Sequence, residues 1–364
     1  MFPDSLYLHS FNLLPQFGPT RLYKLCQYFE SAKQAYESGE QKFLKAGIEP
    51  EIILKFLDHR KNIDLAKEAQ KLANENIKIL TFKDRNYPKL LLEIPKFPPI
   101  FYYKGNLEEP EELCIAVVGT RNISNYGRTI IPELINPLVE AGITIVSGMA
   151  YGVDSAVHDL ALQKNKRTIA VLGGGLDEKS LYPQHHALLA EKILNSGGAL
   201  ISEYPIGTPN LKHHFVSRNR IISGLCTATV IIECDLKSGS LITAKHALDQ
   251  NRQLFAVPGP VYAQTSQGPN NLIKMGAKPL TCANDILEDL NLKKFPQAKE
   301  NQELFGDSPE ENILLKLISH EPININDIIK QSGLDTSEVT STLTFLEMKG
   351  KIRNLGGQQY ILSR

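Results

Sequence analysis

The chain has 364 residues, 42% hydrophobic and 22% charged, and its 40 basic and 40 acidic side chains cancel. That length suits two or three domains. The composition excludes a disordered chain, and no apolar run approaches a membrane span. A neutral total also argues against a protein that holds nucleic acid by bulk charge, although a local positive groove survives in a neutral sum.

Cys26, Cys114, Cys226, Cys234 and Cys282 show no CxxC spacing. They read as free thiols in a reducing, cytoplasmic setting. The start, MFPDSLYLHSFNLL, lacks a basic n-region, so no signal peptide is expected. Trp is absent, so any base stacking must come from Tyr, Phe, His or Arg.

In chain order, residues 1–76 read as a small helical domain. Leu22, Leu25, Cys26 and Phe29 share one helical face after a turn at Phe17-Gly18-Pro19. Further helices are expected over 33–38, 50–57 and 63–74. The turn has the form of half a helix-hairpin-helix, or of a plain packing unit. IKILTF (77–82) reads as a strand, and the Pro-rich stretch 87–106 as extended chain adding a strand or two at a sheet edge.

Residues 113–258 carry a repeated strand–loop–helix pattern. LCIAVVGTR (113–121) is an apolar run that stops at Gly119, and a helix is expected over 126–141. ITIVS (143–147) precedes a helix over 154–164, and TIAVL (168–172) one over 184–195. ALISE (199–203) precedes one over 217–225, and TVIIE (229–233) one over 241–251; LFAVPG (254–259) closes the series. This order predicts an α/β fold with a Rossmann-like, mostly parallel sheet and helices on both faces. The loops at the strand ends (GTR, SGMAYGVD, GGGLD, SRNR, KSGS) are small, polar or basic. Together they suit an anionic ligand.

No GxGxxG, GxxxxGK[ST] or HExxH run is present, so neither a dinucleotide, P-loop nor zinc-protease signature supports catalysis. His185-His186 and His213-His214 are adjacent pairs, which point apart on a helix and make no ready metal site. Asp154 and His158 share a helical face; a dyad is conceivable, and Asp154 as an N-cap bonded to His158 is the plainer reading. Glu203 and Glu233 end strands, as acid/base groups or, more simply, as anchors for arginine. Arg218 and Arg220 flank Asn219 at an expected helix start, where the dipole would add to their charge.

Residues 291–308 form a polar linker. Residues 309–364 supply three helices and a hairpin turning at Gly356-Gly357, a winged-helix-like domain. The outward residues of its third helix, Thr336, Ser337, Thr340, Ser341 and Thr344, carry no positive charge. That weakens a DNA-reading role there.

VGTRNISNYG (118–127), SGMAYGVDSAVHDLAL (147–162), TIAVLGGGLDEKSLYP (168–183), LISEYP (200–205), FVSRNRIISGL (215–225), SGSLITA (238–244) and AVPGP (256–260) resemble the motif series of the DNA-processing protein A (DprA/Smf) family. The resemblance covers the central domain in order. It implies a sterile-alpha-motif-like helical domain, a Rossmann-like DNA-binding core over 77–290 and an optional winged-helix-like domain. It further implies a non-enzymatic, homodimeric protein, without cofactor or metal, that binds single-stranded DNA and loads a RecA-type recombinase in natural transformation. Val216 stands where the family has Pro, and His186 where it often has Asn, which leaves the loop shapes open. Carried across, the family's DNA groove falls on Gly119, Thr120, Arg121, Ser147, Gly148, Lys212, Arg218, Asn219, Arg220, Ser238, Gly239 and Ser240. The alternative is a phosphoribohydrolase-like nucleotide-processing enzyme on a related sheet. The strand end IIECDLKSGSLITA lacks that class's PGGxGTxxE loop. A regulator acting through the winged helix is a third reading.

Overall fold

The computed structural model describes residues 2–107, 113–290, 307–319 and 322–362. The chain divides into two compact units, Met1–Lys293 and Lys294–Arg364.

The first unit opens with six helices: α1 (Asp4–Asn12), α2 (Pro19–Tyr28), α3 (Ala32–Glu37), α4 (Glu40–Lys45), α5 (Pro50–Asn62) and α6 (Leu65–Asn74). Capping explains several boundaries. Pro19 and Pro50 sit in the first turn of their helices, where a missing N–H costs nothing. Asp64 accepts from the amides of Ala66 and Lys67. The helices close over Phe11, Phe17, Phe43 and Phe56, with Phe11 and Phe56 stacked at 4.1 Å. That cluster continues into Ile100, Tyr102, Ala170 and Leu200 of the sheet, so helices and sheet pack as one body.

Next come β1 (Lys78–Thr81), α7 (Lys89–Leu92), β2 (Ile100–Gly105), β3 (Cys114–Val118), α8 (Asn125–Glu140), β4 (Thr144–Ser147), α9 (Val153–Gln163) and β5 (Thr168–Val171). Then follow α10 (Ala187–Asn195), β6 (Ala199–Ser202), α11 (Lys212–Gly224), β7 (Ala228–Ile231), α12 (Ser240–Asp249), β8 (Gln253–Ala256), α13 (Gln267–Lys274), β9 (Lys278–Pro279) and α14 (Ala283–Asp289). The nine strands form one sheet in the order β1-β2-β6-β5-β4-β3-β7-β8-β9. β1 and β2 join antiparallel at one edge, and β6 through β9 run parallel. The central strands are buried along their whole length, as their unbroken apolar runs require.

Two departures matter for function. The helix expected over 217–225 begins at Lys212, so Arg218 stands at its middle and Arg220 beyond it, past the first turn where the N-terminal dipole acts. KHHF holds no Gly or Pro to break a helix, and the chain turns earlier, at Ile206-Gly207, where the Thr208 amide donates to the Pro205 carbonyl at 3.2 Å. The stretch 87–106 is not all extended, since it holds α7.

The second unit holds α15 (Pro309–Leu317), β10 (Ile323–Asn324), α16 (Ile325–Ser332), α17 (Thr336–Met348), β11 (Ile352–Asn354) and β12 (Gln359–Leu362). The strands pair in the order β10-β12-β11. α16 ends at Gly333 in the left-handed conformation, and Asp335 with Glu338 forms a capping box on α17. Leu314, Ile328, Val339, Leu343, Leu346 and Ile352 make its core. This is a winged helix. Of the linker expected at 291–308, residues 291–306 lie outside the described residues.

Candidate nucleic-acid interface

The order of the parallel strands reverses at β3, so a crevice opens between the β3 and β7 ends, where open α/β sheets receive ligands. In this chain the crevice is filled from within. The Glu233 carboxylate, only 1% exposed, accepts from the Ser124 amide (3.0 Å), the Ser124 hydroxyl (2.6 Å) and the Thr265 hydroxyl (2.9 Å). Ser124 is the N-cap of α8, so this negative charge sits where a helix N-terminus would otherwise hold a phosphate. Gly127 permits it: a Cβ there would stand 2.2 Å from the carboxylate. The Thr120 amide is likewise spent, on the Glu233 carbonyl at 2.6 Å. It is not the free phosphate donor that its sequence position suggests. Glu233 anchors α8 and, among the described residues, makes no ion pair with arginine.

The next loop closes in the same way. Asp154 is buried and accepts from the amides of Gly148 (3.2 Å) and Ala150 (3.4 Å). Burial raises its pKa, opposed by the charge of Arg218 and by these amides. The N-cap of α9 is Gly152, not Asp154. His158 does not bond Asp154; its Nδ1 meets the Thr168 hydroxyl at 2.7 Å. Burial pushes the His158 pKa down to about 3, so the ring is neutral.

Arg218 and Arg220 turn inward. The Arg218 guanidinium donates to the Gly148 carbonyl at 2.9 Å and to the Val171 carbonyl, tying the ends of β4 and β5 together. It lies directly on Gly148, whose added Cβ would come within 2.6 Å of it. Burial lowers its pKa to about 10, with Asp154 opposing and Arg121 adding to the fall, so it stays charged at neutral pH. Arg220 pairs with Glu203 at 2.6 Å, both nearly buried. Of the two strand-end carboxylates, Glu203 is therefore the arginine anchor.

The remaining sequence candidates divide into props and rim. Ser147 is buried and donates to the Val117 carbonyl at 2.7 Å. Ser240 donates to the Gly119 carbonyl (2.7 Å), Ser238 to Ser240 (3.3 Å), and the Asn219 amide to the Gly239 carbonyl (3.3 Å). These bonds brace the loops after β3 and β7 and the start of α12. Arg121, Lys212 and Gly239 are the three exposed members, and Lys237 is exposed beside them. Arg121 lies over the Phe215 ring at 5.9 Å, with Tyr182 on the same ring at 5.6 Å. Sequence reasoning left out Phe215 and Tyr182 because nothing marks a lone aromatic as rim rather than core.

The result is a one-sided distribution of charge. Asp154, Asp177, Glu203 and Glu233 at the strand ends are all buried or nearly so and hydrogen-bonded inside the chain. Arg121, Lys212 and Lys237 face solvent at the same end. Among the described residues no group of three or more His, Cys, Asp or Glu side chains could hold a metal ion.

A neutral chain with a Rossmann-like sheet, a filled switch-point crevice and an exposed basic rim is an α/β protein of the doubly wound class. The chain belongs to the DNA recombination-mediator protein A family, whose profile matches residues 78–291, and the DprA winged helix domain matches residues 297–358. It is 39% identical over 284 residues to Protein Smf of Escherichia coli, covering 76% of this chain and 75% of that protein. It is 36% identical over 269 residues to the DNA processing protein DprA of Streptococcus pneumoniae, covering 74% and 92%. The X-ray structure of the S. pneumoniae protein superposes with a TM-score of 0.67 at 32% identity, over 81% of this chain and 99% of that one. DNA processing protein A from Helicobacter pylori, whose structure describes its single-stranded DNA binding mode, superposes with a TM-score of 0.53 at 29% identity, over 59% and 96%. Among the described residues no helix is long and apolar enough to cross a membrane.

Proposed function

We propose that this chain binds single-stranded DNA along the rim formed by Arg121, Phe215, Tyr182, Lys212 and Lys237. The observation that carries the reading is the inward turn of Asp154, Asp177, Glu203 and Glu233. It leaves exposed cations there without a carboxylate partner among the described residues. Exposed cations beside aromatic rings suit a single strand, whose phosphates and unpaired bases are presented together. The filled crevice turns an anion away from the switch point and toward the outer loops. The relationship to a protein with a described single-stranded DNA binding mode supports the same reading.

In this reading the protein is a non-enzymatic mediator. It coats incoming single strands in the cytoplasm during natural transformation, acts as a homodimer and hands the strand to a RecA-type recombinase. Glu233 is buried and held by three donors, which supports the non-enzymatic reading.

Fluorescence anisotropy with a labelled single-stranded oligonucleotide and its duplex tests binding, and preference for the single strand is expected. Recombinase loading is read as strand-dependent ATPase on DNA coated with single-strand-binding protein. Release of free base from nucleoside monophosphates, lost in a rim-intact Glu233→Gln variant, would replace this reading with an enzymatic one.

A further inference from the structure

Tyr262 is 98% exposed, the most exposed large hydrophobic side chain among the described residues, and its neighbour Val261 is 74% exposed. Isolated exposed side chains are ordinary; what distinguishes this one is the fixed loop beneath it. The loop leaves β8 at the same end of the sheet as the rim. The Val257 amide still donates to the Ile231 carbonyl at 3.0 Å, and the Tyr126 hydroxyl donates to the Pro258 carbonyl at 2.6 Å. Asn270 clamps Gly259 on both sides: its carbonyl oxygen accepts from the Gly259 amide (3.2 Å) and its amide donates to the Gly259 carbonyl (3.0 Å). Gly259 itself is required, since a Cβ would stand 2.3 Å from the Ser266 hydroxyl. A turn closed by the Ala263 amide on the Pro260 carbonyl (3.0 Å) then presents Val261 and Tyr262 at its tip.

A rigid tip loses little entropy on contact, and a tyrosine adds only two rotatable bonds. β8 stands two strands from β3, roughly 10 Å along the sheet edge at about 4.8 Å a strand. Tyr126 and Thr265 tie the loop to the start of α8 and to Glu233, next to the segment that carries Arg121. A strand held by Arg121 could therefore continue across β7 to this tip.

We propose that Tyr262 stacks on a base of bound single-stranded DNA, forming a second, charge-free contact beyond the Arg121–Phe215 rim. The proposal rests on the single-strand-binding reading. Base–aromatic stacking removed by alanine typically weakens binding roughly five- to hundredfold for one base. Because no phosphate contact is lost, the salt slope should not change.

The chain has no Trp, so Tyr262→Trp yields a protein with a single indole at this tip. The expected results are weaker binding by Tyr262→Ala, retained affinity in Tyr262→Phe and Tyr262→Trp, and quenching of the indole by oligothymidylate. An oligomer of the same length with abasic sites should bind without quenching. Wild-type affinity in Tyr262→Ala, or an indole blind to bound thymidylate, would overturn the stacking contact while leaving the rim intact. An indole that responds to protein concentration alone would assign the tip to a second copy of the chain and overturn it too. Failure of the wild-type protein to bind single strands would remove both this contact and the reading beneath it.

Discussion

Arg121 and Arg218 look alike in the sequence, each a basic residue close to a glycine loop, yet the structure gives them opposite work. Arg218 is 4% exposed and holds the Gly148 and Val171 carbonyls beside buried Asp154. Replacing it with the similarly sized Met leaves the Gly148 and Val171 carbonyls without their donor and removes the positive charge near buried Asp154. Each buried acceptor left unsatisfied costs about 1–3 kcal/mol. For a folded body of this size each kcal/mol is worth about 2–4 °C, so Arg218→Met should melt on the order of 10 °C lower. Arg121 is exposed, so Arg121→Ala should leave the melting temperature nearly unchanged. It should instead weaken single-strand binding at every sequence and reduce the slope of log affinity against log salt by roughly 0.7, the loss of one phosphate contact. Calorimetry and a salt series of anisotropy titrations on both variants give the four numbers. A stable Arg218→Met protein with a shallower salt slope, or an Arg121→Ala protein that melts early with its slope intact, would refute this division of labour.

Protonation of His158 should destabilise the fold in mild acid. Its folded pKa is about 3, against 6.5 in the unfolded chain, so below pH 6.5 the unfolded state takes up a proton that the folded state refuses. Stability is therefore lost as pH falls, by about 2 kcal/mol between pH 7 and pH 5, a contribution that His158→Gln should remove from urea titrations at the two pH values. Glu233→Gln should lower the melting temperature through loss of the charge at the start of α8, with single-strand affinity held within about twofold. A large change in affinity at constant stability would place Glu233 in the binding surface instead.

Much of the sheet was legible because buried parallel strands leave a plain trace. β3, β4, β5, β6 and β7 are short apolar runs closed by glycine or a polar loop, and each was expected within a residue or two. Elements without that contrast escaped. In α1, Leu6 through Phe11 are all buried, so the helix shows no polar face and hence no period. β9 is Lys278–Pro279, both exposed, with no apolar signal at all.

The site was less legible than the fold, for a reason the arginines make plain. A sequence states that a residue carries charge, not which way the charge faces. Read as continuous helix from Lys212, Arg218 and Arg220 are two positions apart, so their side chains leave opposite sides and cannot grip one phosphate. One goes to the carbonyls of Gly148 and Val171, the other to Glu203. The same inward turn takes Asp154 and Glu233 out of solvent. Net charge thus misleads in both directions: arginines that look like anion contacts brace the loops from within, while three exposed cations, Arg121, Lys212 and Lys237, stand at the strand ends of a neutral chain. Which charges reach solvent is set by which ones the loops satisfy internally: Glu233 is spent on Ser124 and Thr265, while Arg121 stays exposed against the Phe215 ring.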